Sequence, residues 1–544
     1  MSVPREAQDL LDPVGEPAGP GGAGPLIDRS TDQPGLTRRA ALVTAGAAVV
    51  GVGGLSANRQ LGSGSTAEST ARPVLTVLDP EAVLHLVRRA TFGLTHALLN
   101  DVRKRGPENW LDDQLHPDRI DDPIAAVIGT RYPLLAGTAA QLQAAIPVDD
   151  PLRAGFQLIE AAIARQVWSR RQLAEVMVDF WSNHFNVTTP MIPTRTTKSV
   201  EDRTVIRRHA LGRFEDLLVA DAKSPAMLVH LGNASSRGDD PNENYGRELL
   251  ELHTVGIDAG YTEDDVRNSA YVLTGWGVGD NGEFRFLPSW HYTGPVEVLG
   301  WSALNASAEH GLAVGEDYLR YLARHEQTAR HLSHKLAVRF VSDDPPDSLV
   351  DNLAEAYLSA DTAIVPWLKT LFSSPEFVAS VGQKVRTPLE DLVSSARALG
   401  IEPPTGQDTS GIWALIVQSA VLGQRPLGAI PPTGYADVAA AWLSTSGVLG
   451  RWNMHRHLTN EGIPGLRRPA LRGLLAGEPL ETMGALVDRL TIRLTGQVFR
   501  DDYRSALLAF LGVAESTPYD DEVVTGSLAE LTALVLDSPY HLLR

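Results

Sequence analysis

The 544-residue chain contains no cysteine, which removes disulfides, thiolate metal sites, a cysteine nucleophile and lipid attachment at an N-terminal cysteine. Any metal must therefore sit on His, Asp, Glu or Asn. Basic residues are also in deficit, since 48 Lys and Arg face 66 Asp and Glu for a net charge of −18. The summed field repels phosphate backbones and anionic headgroups, so nucleic acid is not expected as a partner. Long apolar runs are missing too. The run from Ala40 to Leu55 is mostly Ala, Gly and Val and falls short of the roughly 20 residues of a membrane span, so no stable transmembrane anchor is expected. Neither a Gly-x-Ser-x-Gly elbow nor a Gly-x-x-x-x-Gly-Lys phosphate loop occurs, so a serine α/β-hydrolase and a nucleotide-driven motor lack their signatures.

What is present is a globular composition, 43% hydrophobic and 21% charged, on a chain long enough for a large core. Residues 1–36 are rich in Gly, Pro and Asp without periodicity and read as a disordered leader. In 37–57, Arg38 and Arg39 precede the weak apolar run of "LTRRAALVTAGAAVVGVGGLSA", which resembles a twin-arginine export signal. The expectation is export by the twin-arginine translocase to the envelope or exterior. Residues 58–78 read as a linker and 79–544 as one helical body, with a subdivision placed near 400–410.

Within that body the dominant period is helical. Asp79 and Pro80 are expected to open a helix that ends at Gly93, and Thr95 and Gly106 to bracket the next. In "RQLAEVMVDFWSNHF", Leu173, Val176, Met177, Phe180, Trp181 and His184 fall on one stripe, the pattern of a buried helix. Thr262 with Asp265 forms a capping box, and Gly275 and Gly277 are expected to close that helix. Another helix is expected over Ala436 to His455. Strand signals are scarce, the best being "EFRFLPSW" with "VEVLG", read as one small hairpin. "GWGVGDNG" follows a helix rather than a strand and reads as a loop, not a dinucleotide fingerprint. The expected fold class is mainly α, a large multi-helix assembly with a small β-hairpin element.

Five stretches, in order, resemble a known bacterial family: "HLVRRATFGLT", "FWSNHFNV", "NENYGRELLELHTVG" continuing as "DAGYTEDDVRNSAYVLTGW", "KLAVRFVSDDPP" and "SPEFVAS". The chain is similar, from about Leu84 onward, to the domain of unknown function 1800 family (DUF1800). The resemblance implies an exported, mostly helical protein, often encoded beside a sulfatase-like family (DUF1501), with no assigned activity and no catalytic residues to carry over. Where the family reads His-Asp-x-Gly-x-Lys, this chain keeps His291 and Gly294 but has Tyr292 and Val296.

The densest chemistry lies in "NENYGRELLELHTVG". On a regular helix Glu248 and Glu251 stand about 60° apart with Asn244 between them, whereas His253 points at least about 140° away from either. A divalent metal on Glu248 and Glu251 would need a ligand from another helix, and His184 is the best placed, with Asp265 or His291 next. The alternatives are a solvated glutamate pair serving Arg247 and a hydrogen-bonded core histidine. Trp181, Asn183, Asn244, Arg247, Trp276 and His291 are the candidate binding residues around the candidate catalytic or metal set Glu248, Glu251 and His184. Two functions follow: a binding or accessory protein acting with a secreted DUF1501-type partner, or an envelope hydrolase with a Glu/His site, metal-dependent in one version.

Overall fold

A computed structural model describes residues 77–406 and 408–544. The leader, the paired arginines Arg38 and Arg39 and almost all of the linker lie outside the described residues. The described part is a helical body carrying two small antiparallel sheets. Among the described residues no helix is long and apolar enough to cross a membrane.

The apolar stripe works as its spacing demands. The Gln172–His184 helix buries Leu173, Val176, Met177, Phe180, Trp181 and His184, and the Glu326–Phe340 helix buries Ala329, Leu332, Leu336, Ala337 and Phe340. Trp110, Trp181, Trp276 and Trp367 are fully buried, and truncating one such ring costs about 3–5 kcal/mol.

The first described helix starts later than its sequence signal. It runs Ala82–Ala90, while Asp79 Oδ1 accepts from the Glu81 amide at 3.0 Å, so Asp79 caps the approach rather than the helix. Gly93 is needed for contact, because a Cβ there would lie 2.5 Å from Ser394 Oγ on the Pro388–Ala398 helix. Arg88 and Arg89 of the same stretch are buried. Arg88 donates to the carbonyls of Tyr540 and Thr495, at 2.9 and 2.6 Å, and Arg89 to that of Ser380 at 2.5 Å. Residues 400–410 lead from the Pro388–Ala398 helix to the Ser410–Val421 helix, and Arg131 grips the carbonyls of Pro404 and Asp408 at 3.1 and 3.0 Å.

The single expected hairpin is two. Strand β1, Trp276–Val278, pairs with β2, Phe284–Phe286, and β3, Val296–Val298, pairs with β4, Trp301–Ala303. The Thr262 capping box forms as expected, but its helix ends at Val272, so Gly277 sits in β1 and not at a helix end. "GWGVGDNG" is accordingly a strand and its turn. Three-residue strands are too short for alternation to register in the sequence.

Two other helices differ for a chemical reason. Over Ala436 to His455 the chain makes only a 3-10 turn, Ala439–Ala441, before the helix Thr445–Asn460 begins behind its Ser444 cap. The upstream backbone is spent elsewhere, since the Ala439 amide donates to Asp343 at 2.6 Å and Asp437 joins an ion network. The expected regular helix from Asn244 to His253 is an α-helix over Glu243–Glu248 that widens into a π turn over Leu249–His253. That turn places His253 in the interior, 1% exposed.

Candidate functional site

Three elements form most of the wall of a cleft of about 340 Å³, which Asp343, Thr387 and Leu389 complete. The Gln172–His184 helix contributes Asp179, Asn183 and His184, the Glu326–Phe340 helix contributes Lys335 and Arg339, and the third wall is the Pro- and Gly-rich loop from Gln424 to Val438. That loop has little regular structure, so side chains fix it. Asn183 Nδ2 donates to the Tyr435 carbonyl at 2.8 Å while its Oδ1 accepts from the Tyr435 amide at 2.6 Å, as a neighbouring strand would. Asn186 donates to the carbonyls of Ala429 and Pro431 at 3.0 and 2.7 Å. Gly434, at φ +72°, is required, because a Cβ would run into the Asn183 backbone and amide oxygens.

At the cleft wall, Lys335 Nζ donates to His184 Nδ1 at 2.9 Å, and His184 Nε2 faces the His253 carbonyl at 3.1 Å. Because the carbonyl can only accept, His184 carries its proton on Nε2 and offers Nδ1 to the lysine. Burial first, then the Lys335 charge, hold the His184 imidazole well below its usual value, so it is neutral. Burial also lowers the Lys335 ammonium to about 8. Among the described residues no carboxylate lies within 4 Å of Lys335 Nζ, whereas Arg339 beside it is paired with Glu390 and Asp437, and Arg425 across the cleft donates to the Thr189 carbonyl. Three of the family-like stretches thus meet here: "FWSNHFNV" through His184, "LHTVG" through His253 and "KLAVRF" through Lys335.

Asp179 is the complementary group. Its hydrogen bond is a long one from Gln166 at 3.4 Å, and burial, against the pull of Arg339, raises it to about 6. Beneath it lies a balanced ion network. Arg339 contacts Glu390 at 2.6 Å and Asp437 at 3.4 Å, Arg544 contacts the same two acids at 2.8 and 3.3 Å, and Lys384 contacts Asp343 and Asp437 at 2.5 and 3.3 Å. Burial alone would raise Asp437; Lys384, Arg339 and Arg544 overcome it and hold the carboxyl at about 2.

The sequence-derived candidates distribute unevenly. His184 and Asn183 line the cleft; Glu248 and Glu251 do not. Glu251 lies 3.7 Å from Arg247, and Arg247 forks onto Glu263 at 3.0 and 2.6 Å. Neither glutamate shares a hydrogen bond or ion pair with His184 among the described residues. Asn244 donates to the Leu231 carbonyl at 3.2 Å. Trp181 is a packed ring whose Nε1 donates to the Ala210 carbonyl at 3.1 Å, and Trp276 presses on Gly315. His291 is held at both nitrogens, by the Thr274 carbonyl and Asn305 Oδ1, each at 2.9 Å. Lys335 and Asp179 were missed because each reads as the polar edge of an amphipathic helix, and only the fold brings the two edges to one cleft.

Among the described residues one trio converges with metal-ligand spacing: Asp391, His455 and His541, all buried. Asp391 Oδ1 is 3.1 Å from both Nε2 atoms, and His455 Nδ1 is 2.9 Å from Asp537 Oδ1. Burial would lower His455, but Asp391 and then Asp537 raise it to about 9. With Arg451 also 3.4 Å from Asp391, an imidazolium between two carboxylates balances the charge, and a divalent ion beside that guanidinium would not.

No curated protein and no solved structure matches the chain. A family model described as "Protein of unknown function (DUF1800)" matches residues 85–543, and therefore spans all three walls of the cleft. The chain belongs to the DUF1800 family.

Proposed function

We propose that this protein is an exported hydrolase of anionic esters, with its site in the cleft between His184, Lys335 and Asp179. The observation that carries the reading is the Lys335 ammonium, held on a neutral imidazole and left without a carboxylate. Such a charge attracts an anionic group, and a neutral neighbour leaves its attraction undiminished. Between about pH 6 and 8 Asp179 is ionised while Lys335 stays protonated, the pairing that general-base activation of water and protonation of a leaving oxygen require. Lys335 anchors the anion and supplies the proton, Asp179 accepts one from water, and His184 positions the ammonium.

Export on Arg38 and Arg39, and action beside a sulfatase-like DUF1501-type partner, belong to the same proposal; the order of leader, paired arginines and apolar run supports the first, and family membership the second. The test is trace acetylation of the lysines of the folded protein across a pH series. Lys335 should become half-reactive near pH 8 and be shielded by sulfate, phosphate or acetate. An ordinary lysine profile, or reactivity indifferent to all three anions, refutes the site.

A further inference from the structure

A second group of buried polar side chains lies outside the cleft. Lys198 and Glu201, both 2% exposed, form an ion pair at 2.6 Å. Asp221 and Tyr245 are fully buried, and neither Asp221 oxygen nor the Tyr245 hydroxyl has a hydrogen-bond partner. The four heads act on one another. Burial and then Glu201 raise the Asp221 carboxyl while Lys198 opposes them, and burial and then Asp221 raise the Tyr245 phenol. Ser199 and Ser224, on the same two turns as Lys198 and Asp221, also carry buried hydroxyls without partners.

A carboxylate stripped of water and given no donor costs several kcal/mol, so buried charges are paired or coordinate an ion. Without a cation, burial and then Glu201 favour the protonated Asp221; once it ionises, the Lys198 ammonium faces two carboxylates and one negative charge is left over. Every unpartnered head other than the ammonium is oxygen, the donor set of a hard cation. A divalent ion would overshoot the charge; a monovalent one balances it. Two of the contributing helices also widen into π turns, over Asp202–Ile206 directly after Glu201 and over Leu249–His253 one turn after Tyr245, a distortion that recurs at binding sites.

We propose that Asp221, Glu201 and Tyr245 hold a monovalent cation in the protein interior. The full chain is melted in potassium, sodium and choline chloride at equal ionic strength, and crystals are soaked in a thallium(I) salt. A saturable rise of Tm with potassium or sodium but not choline is expected, together with an anomalous thallium peak beside Asp221. Tyr245→Phe should keep the fold and raise the half-saturating concentration about tenfold, the loss of one ligand; Asp221→Asn should melt identically in all three salts. Equal melting of the unaltered protein in choline and potassium, or a thallium map empty at Asp221 with water alone there, overturns the proposal.

Discussion

Replacing Lys335 by Met should make the protein more stable at neutral pH, although it removes the side chain on which the proposed chemistry depends. Burial lowers the ammonium from its ordinary 10.5 to about 8, so the folded state binds this proton more weakly than the unfolded state does. A fall of roughly two and a half pH units is worth about 3 kcal/mol against the fold at pH 7. Because the unfolded chain holds more protons between pH 8 and 10.5, the penalty shrinks as pH rises through that window, and only about 1 kcal/mol remains at pH 10. Met keeps an unbranched stem of similar length but forfeits the hydrogen bond to His184, worth about 1 kcal/mol. The net expectation is a gain of about 2 kcal/mol at pH 7 that disappears by pH 10. Urea unfolding of both proteins at pH 7, 8, 9 and 10 measures it. A variant destabilised at pH 7, or a difference that does not change with pH, would refute the placement of an uncompensated ammonium in the cleft.

Other substitutions probe the surroundings. His455→Gln should remove a stabilisation of about 3 kcal/mol that the unaltered protein shows in full below pH 6.5 and loses as pH rises through about 9, since that imidazole is raised by Asp391 and Asp537; denaturation midpoints at pH 6 and 9.5 should diverge and then converge. Arg339→Met leaves Glu390 and Asp437 short of a buried partner and should cost about 3–5 kcal/mol, read by the same titration. Gly434→Ala should weaken anion shielding of Lys335 and destabilise by about 1–3 kcal/mol, because a left-handed residue must then crowd Asn183. The double change Glu248→Gln, Glu251→Gln, on a partly exposed pairing with Arg247, should shift stability by no more than about 0.5 kcal/mol and leave that shielding intact.

How much was legible follows from what each residue depends on. The stripe from Leu173 to His184 and the Thr262 capping box are written in local spacing, and both appear where spacing puts them. Family-like stretches also marked the neighbourhood, since three of them meet at His184. What spacing could not convey was the partner across space. Lys335 reads as the polar edge of an amphipathic helix until the Gln172–His184 helix is laid beside it. The π turn at Leu249–His253 likewise needs no unusual residue in "LLELH"; it changes the direction of His253 by tertiary packing, and that changes which histidines face each other. The short sheets failed for the opposite reason, being too brief for any period to show.

The grip of Arg88 on the carbonyls of Tyr540 and Leu543 has a consequence in time. Contacts that join residues more than 400 positions apart close a very long loop, and such closure slows folding. A ribosome adding about 5–20 residues per second needs on the order of half a minute between those two ends. Throughout that interval Arg88 has no Tyr540 to hold, and Glu390 and Asp437 wait for Arg544. The ion network beneath the cleft therefore waits on residues 540–544, and a nascent chain halted before residue 540 would carry His184, Lys335 and Asp179 without the Arg544 partner of Glu390 and Asp437.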